Sequence, residues 1–411
     1  MKPVTALIHH GYQAPAEFSA PQIAVHKAST VIFPNVQAMR ARTWLDKKSY
    51  TYGLHGTPTT FTLEERLCHV EGAQHAVLVP SGLAAIALAN MTFLKHGDEV
   101  LLPDNVYGPH KAFAESELKQ WGIRYQLYDP MNIEDVASRI NAHTRLLWIE
   151  AAGSVTLEFP DVVALVGLAK SKSVLTALDN TWGAGLAFAP FDLRPGLGDT
   201  RLGVDISVHA LTKYPSGGGD VLMGSVTACD DDLAKQLKLC HMRLGLGVGA
   251  NDVELVLRSL PSMDLRYRQH DATTRTLAAW CLQQTAFAQV LHPAVVGSPG
   301  HEHWRRLCAK DMPSSSAVHT QGLAAGLLSL RFSPQYSPSQ IDQFCNGLRL
   351  FKLGYSWGGP MSLVVPYRLQ ELRQMASPSL VQGGFVRLSV GLEAASDLID
   401  DLAQAMAQAG M

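Results

Sequence analysis

Lys213 is the residue whose setting most invites chemistry. It stands in VDISVHALTKYPSGGGDVLMG (204–224), after an apolar run at 205–209 and before three glycines. A lysine desolvated at the end of a buried strand has a lowered pKa, and its free amine can form a Schiff base with a carbonyl. The same pattern fits a lysine that merely reaches out to water, so other groups must decide. Asp179, in VLTALDNTWGAG, directly follows another apolar run. There it can stay ionised and pair with a cation deep in a pocket; a turn or helix cap is its plainer use. Tyr107, in DNVYGPH, can stack on a planar ring from a strand-end loop, or simply pack. Ser81-Gly82-Leu83 opens an Ala-rich helix whose first N–H groups can hold a phosphate, or only be capped.

All four groups call for strand ends to carry them. Short apolar runs at 76–79, 99–102, 123–127, 145–149, 174–178, 205–209 and 222–227 alternate with helical stretches at 62–71, 83–95, 109–121 and 162–172. Thr62 and Glu65 fit a capping box for the first of these helices. Strands alternating with helices predict an α/β domain over 58–252, with a mostly parallel seven-stranded sheet. A small molecule would sit beyond the carboxyl ends of its strands. From about 252 the pattern changes to a long helical stretch at 253–283, strand-like pieces at 324–332 and 386–390, and helices at 338–350 and 394–409, a smaller α+β domain over 253–411. Residues 1–57 lack periodicity, hold Pro15, Pro21 and Pro34 and a β-like piece at 29–33, and read as an arm lying on another surface, a neighbouring subunit included. A phosphate seat, a stacking aromatic, a carboxylate for a ring nitrogen and a lysine for an aldehyde, in that chain order at successive strand ends, are what pyridoxal 5′-phosphate needs.

Composition excludes other classes. The 411 residues are 47% hydrophobic and 17% charged with a formal charge of −2, a globular chain without the clustered Lys and Arg that phosphate backbones demand. Nucleic acid is therefore not an expected partner. Six scattered cysteines without a CxxC pair fit reduced thiols in a cytosol. The opening MKPVTALIHHGYQAPAEF has no apolar stretch of signal-peptide length, and no segment reaches the roughly 18 apolar residues of a membrane span. A cytoplasmic protein with no membrane partner is expected. His301-Glu302-His303 is no metal motif, since residues two apart do not face together on a helix, and 245–249 lacks the dinucleotide-binding pattern.

In YGLHGTPT (52–59), VPSGLAA (79–85), DNVYGPH, EAAGS (150–154), DNTWGAG (179–185), ALTKYPSGGGD (210–220), HPAVVGSPGH (292–301), YSWGG (355–359) and VRLSVGLE (386–393), nearly the whole chain resembles the Cys/Met-metabolism group of fold-type I pyridoxal-phosphate enzymes, the cystathionine β-lyases above all. The resemblance implies that Lys213 bonds the cofactor aldehyde and moves the Cα proton, with Tyr107 stacked on the ring as the second catalytic group. It implies that Asp179 pairs with the ring nitrogen, that Ser81, Gly82, Leu83 and Thr212 hold the phosphate, and that Ser154 lies near the ring hydroxyl. Tyr52 would reach the phosphate of a neighbouring subunit, in a homotetramer built as a dimer of dimers with shared active sites. Arg387 would grip the substrate carboxylate as a bidentate pair, beside Tyr355, Ser356 and Trp357, with Tyr52 and His55 also at the substrate.

The chain departs from its relatives at several positions. Many have arginine at the position of Leu54, where it binds the phosphate across the subunit interface; His55 would stand in for it. Many have serine where this chain has Ala210, and GHSD where it has GGGD, exchanging a polar contact for freedom of the chain. Ala112 replaces an acidic residue that meets the distal amino group of cystathionine, which leaves selectivity open. Tyr355 points to β-chemistry, because relatives running γ-chemistry tend to carry glutamate there. The expected activity is β-elimination of L-cystathionine to homocysteine, pyruvate and ammonia. A broader cysteine-S-conjugate lyase, a γ-synthase or γ-lyase, a racemase and, remotely, a non-catalytic sensor are the alternatives.

Overall fold

A computed structural model describes residues 22–45, 47–194, 202–309, 322–375, 380 and 382–411. The first part of the arm, with Pro15 and Pro21, lies outside them. Seven strands form the larger sheet: β1 His75–Val79, β2 Glu99–Pro103, β3 Arg124–Tyr128, β4 Thr144–Glu150, β5 Leu175–Asp179, β6 Ile206–Ala210 and β7 Gly224–Ala228, in the order β1-β7-β6-β5-β4-β2-β3. All neighbours are parallel except β7, which runs antiparallel to both β1 and β6. Side chains alternate between two cores. Leu101, Leu147, Ile149 and Leu178 pack on one face, while Val100, Leu102, Leu146, Trp148 and Ala177 pack on the other. Helices on both faces explain why these strands read as continuous apolar runs.

A second sheet, in the order β10-β11-β12-β9-β8, comprises β8 Phe287–Leu291, β9 Leu327–Phe332, β10 Lys352–Leu353, β11 Leu363–Tyr367 and β12 Phe385–Ser389. Its core is Leu328, Leu330, Phe332, Val386 and Leu388 with residues of the helices Met263–Cys281 and Ala395–Gln408. Strands β8, β10 and β11 have no counterpart in the sequence pattern: Gln289 breaks the apolar run of β8, Pro366 that of β11, and β10 has only two residues.

Three local expectations are corrected. The helix Pro58–Glu71 starts four residues before Thr62, and its capping box is Thr57 with Thr60. Pro58 is ready-made for a first helical position, whereas Thr62 is interior and donates to the Pro58 carbonyl. The stretch at 109–121 is a helix Gly108–Phe113 continued by a π-helical turn, Ala114–Leu118. The long helix at 253–283 is two, Ala250–Ser259 and Met263–Cys281, separated by a 3-10 turn at Leu260–Ser262. Pro261, which cannot donate to the helical ladder, lies in that turn.

Candidate active site

The carboxyl ends of β2, β4, β5 and β6 open onto one cavity with an inner and an outer chamber. Of the residues expected at a site, all but Tyr52 and His55 line one chamber or the other. Lys213, Tyr107, Ser154, Trp357 and Arg387 line both.

Lys213 sits three residues beyond β6. Its Nζ donates to Ser356 Oγ at 3.0 Å and lies 5.4 Å from the centroid of the Trp357 indole. Burial, reinforced by the Arg387 cation and opposed by Asp179, pushes its pKa down to about 8. The lysine is thus held inside the cavity and is not reaching for solvent. Asp179 ends β5, enclosed by protein but open to the inner chamber. Its Oδ1 accepts the Thr181 N–H at 3.0 Å, and burial raises its carboxyl pKa against that bond.

The glycine at 82 is required by a close approach. A Cβ there would lie 2.5 Å from the Ala210 Cβ and 3.1 Å from its Cα. Ser81 Oγ caps the helix Gly82–Phe93 by accepting the Ala84 N–H at 3.0 Å, leaving the N–H groups of Gly82 and Leu83 without a helical partner beside the chamber. Thr212 lines the chamber too, but its hydroxyl bonds the backbone of Met223, donating to its carbonyl at 3.3 Å. The glycine loop after Lys213 is not free chain, as the sequence reading had it. Gly217 and Gly219 have φ of +64° and +74°, and a Cβ on Gly217 would lie 2.1 Å from Arg266 Nη1. Both glycines are needed for the left-handed backbone, and Gly217 also for the close approach of Arg266.

Arg387, on β12, is 8% exposed. Its Nη2 makes only a long 3.5 Å contact to the Ser356 carbonyl, its Nε has no partner, and its guanidinium lies 5.5 Å from the Tyr367 ring centroid. No carboxylate among the described residues pairs with it, so it is not part of an ordinary salt bridge. Burial lowers its pKa. A buried cation left without an anion is expensive, and this one faces a cavity that also holds Lys213.

The outer chamber continues past Tyr355, which is 84% exposed at the rim. Arg373 crosslinks its wall, donating to Asp104 Oδ2 at 2.8 Å and Glu158 Oε2 at 2.9 Å. Lys111 is tied to Asp104 at 3.7 Å and to the Leu372 carbonyl. Ala112 and Glu115 line the same chamber. Glu115 accepts from the Tyr125 hydroxyl at 3.3 Å and has no cationic partner among the described residues.

Tyr52 and His55 lie on the arm, away from this cavity. Tyr52 is 45% exposed and bridges Thr30. The His55 ring stacks on Trp44 at 4.5 Å and its Nδ1 lies 2.8 Å from Thr51 Oγ1. Burial, then the Lys238 and Arg42 cations, lowers the His55 pKa, which leaves it a poor substitute for an arginine.

Among the lining residues that the sequence does not single out are Thr181 and Glu150. Thr181 braces the floor, giving its N–H to Asp179 while its hydroxyl accepts the Ala210 N–H at 2.9 Å. Its signal was the Asp-x-Thr spacing of an Asx turn. Glu150 ends β4 as Asp179 ends β5, opening the EAAGS motif, and accepts the Tyr107 N–H at 2.8 Å.

The residues present fit pyridoxal 5′-phosphate. The Gly82 and Leu83 N–H groups, without a helical partner, line the chamber where a phosphate can lie against the helix N-terminus, and Asp179 and Lys213 line that same chamber as partners for a ring nitrogen and an aldehyde.

The chain is similar to known proteins along nearly its whole length. A cystathionine β-lyase of Bordetella avium is 34% identical over 389 residues, covering 93% of this chain and 91% of that protein. An L-alanine/L-glutamate racemase of Wolbachia pipientis wMel is 32% identical over 394 residues, covering 93% and 92%. The crystal structure of a cystathionine γ-synthase from Xanthomonas oryzae pv. oryzae superposes with a TM-score of 0.84 at 26% identity, covering 100% of this chain and 99% of that one. The pattern of the Cys/Met metabolism PLP-dependent enzymes matches residues 4–407, and the chain belongs to that family, with its fold-type I architecture and its pyridoxal-phosphate cofactor.

Proposed function

We propose that the protein is a carbon–sulfur lyase that cleaves L-cystathionine by β-elimination to homocysteine, pyruvate and ammonia. The observation that carries this reading is Arg387, a buried guanidinium without an acidic partner in the cavity that holds Lys213. It provides a bidentate seat for an α-carboxylate. Bound pyridoxal 5′-phosphate supplies an aldehyde for the substrate amine and an electron sink for the Cα carbanion. Gly82, Leu83, Asp179 and Tyr107 would hold it. Lys213, with a pKa brought down to about 8, exchanges protons readily near neutral pH, and its Nζ takes the Cα proton. Ser356 Oγ, accepting from that Nζ, orients it.

Support for β-chemistry comes from the uncharged Tyr355 at the rim and from the likeness to a cystathionine β-lyase. The outer chamber suits a two-ended substrate, since Glu115 offers an uncompensated carboxylate three residues on from Ala112, where an acid is missing. A second reading, racemisation of a small amino acid, is favoured by the likeness to the Wolbachia racemase and would use the same proton transfer at Lys213.

Purified protein loaded with cofactor and given L-cystathionine should release pyruvate and homocysteine. 2-Oxobutyrate would mean γ-elimination, and D-alanine formed from L-alanine would mean racemisation. Neither keto acid, with cofactor visibly bound, would sink the lyase reading. Tyr52 and His55, outside the cavity of their own chain, are read as completing the site of a second copy, in a dimer or a pair of dimers; a fully active monomer in sedimentation would overturn that.

A further inference from the structure

Glu150 is a cavity-lining carboxyl that the proposed reaction does not use. We propose that Glu150 works as a neutral carboxylic acid that positions Tyr107 and leaves Asp179 as the single negative charge on the floor of the inner chamber. This rests on reading the chamber as the cofactor site.

The geometry begins with strand register. β4 and β5 are adjacent and parallel, and Glu150 is the register partner of Asp179. Paired residues on parallel neighbours leave the sheet on the same face, with strands about 4.8 Å apart. Both carboxyls line the inner chamber. Two carboxyls placed this way in a desolvated site do not both ionise at moderate pH; one keeps a proton.

Their other neighbours decide which. Asp179 accepts the Thr181 N–H, and the buried His209 on β6, which pairs with Glu71 at 3.5 Å, favours its charge. Glu71 itself opposes that charge. Glu150 accepts the Tyr107 N–H, the Ser154 N–H also favours its charged form, and no lysine, arginine or histidine among the described residues pairs with it. The Tyr107 phenol, Lys213 and Arg387 also line the chamber, and the buried Tyr128 hydroxyl near Glu150 is committed to the Trp148 carbonyl at 2.6 Å. Burial and the Asp179 charge hold the Glu150 carboxyl well above the usual carboxylate range. Glu150 therefore carries the proton, with Oε2 serving as the carbonyl-type acceptor.

The bond to Tyr107 spans a significant place. Strand order advances outward from β2 to β3 on one side and from β4 through β5 to β6 on the other, so the sheet reverses direction between β2 and β4. Ligands settle in such crevices. Tyr107 follows β2 and starts the helix Gly108–Phe113 without a side-chain cap, so its backbone is tied here by Glu150. An acid with no net charge can make that tie without a second anion beneath the cofactor ring.

Glu150→Gln and Glu150→Ala separate the possibilities. The glutamine is neutral and keeps a carbonyl for the Tyr107 N–H. Cofactor dissociation constant and kcat/KM should stay within about twofold of wild type, with an unchanged pH profile. The alanine removes the tether, and cofactor binding should weaken about three- to tenfold, as loss of one buried hydrogen bond implies. Difference infrared spectra of wild type minus Glu150→Gln near neutral pH should show the C=O stretch of a protonated carboxylic acid, in cofactor-free and in loaded protein. If that band is missing, or Glu150→Gln binds cofactor more than tenfold worse, Glu150 is ionised and the proposal fails. It fails too if Glu150→Ala loses thermal stability while binding cofactor as Glu150→Gln does. The infrared and binding measurements need no turnover, so they stand apart from any failure of the lyase reading.

Discussion

Replacing Arg387 by methionine should cost activity and not stability. The magnitude follows from what the guanidinium touches. In the free protein it has one long hydrogen bond, to the Ser356 carbonyl, an unpartnered Nε and the Tyr367 ring beside it, at 8% exposure. A substrate carboxylate would gain two charge-assisted hydrogen bonds, each contributing about 1.5–3 kcal/mol. Water entering the vacated space returns part of this, which leaves a loss of about 3–4 kcal/mol, or a 10²–10³-fold fall in kcat/KM. If the seat acts in binding alone, the loss falls mainly on KM. Folding responds in the opposite sense. Methionine fills similar volume without a charge to desolvate, so the cofactor-free protein should unfold at the same temperature or higher, with a gain of up to about 2 kcal/mol. The assay is steady-state pyruvate release with L-cystathionine, beside thermal unfolding of cofactor-free wild type and variant. A variant that keeps KM within threefold while unfolding more easily would refute the reasoning, because Arg387 would then be a structural cation with a partner in the fold.

Lys213 should make the cofactor-free protein pH-sensitive. Its pKa falls from 10.5 to about 8 on folding, so between those values the unfolded chain binds more protons and stability rises with pH. Lys213→Met should therefore be more stable than wild type below about pH 8, the gap closing toward pH 10.5; parallel unfolding curves across that window would contradict this. Gly82→Ala should weaken cofactor binding and destabilise by about 1–3 kcal/mol, the usual range for overpacking, because its Cβ meets the Ala210 Cβ at 2.5 Å. Adding Ala210→Gly should restore much of both, and equilibrium dialysis of the double variant that shows no recovery would count against this contact. Glu115→Gln should raise KM for L-cystathionine about threefold or more while sparing a cysteine thioether without a distal ammonium; an equal effect on both would remove Glu115 from substrate selection.

The residues that anchor the chemistry were legible because each stands at the end of a continuous apolar run. Buried parallel strands announce themselves this way: Asp179 ends β5, and Tyr107 and Lys213 follow β2 and β6. Local chemistry was less legible. The capping box at Thr57 lies five residues before Thr62, which with Glu65 offers a similar pattern, and the helical stretch at 253–283 is two helices with Pro261 in the turn between them. Strands β8 and β11, their apolar runs broken by Gln289 and Pro366, are made strands by pairing with β9 and β12 and not by their own pattern.

What a linear pattern cannot carry is which side chains face each other across strands. Glu150 and Asp179 are 29 positions apart, and each alone reads as an acid at a strand end. Only the pairing of β4 with β5 turns them into a pair of carboxyls in one chamber. Arg387 is similar: its type can be read from VRLSVGLE, but its lack of an acidic partner is a property of the folded cavity. Both are costly arrangements, a buried cation without an anion and two carboxyls side by side. A chain selected for stability alone would remove them by single substitutions. Their joint presence around Lys213 is therefore the strongest argument that this cavity is kept for a ligand carrying an anion at one point and a cation at another.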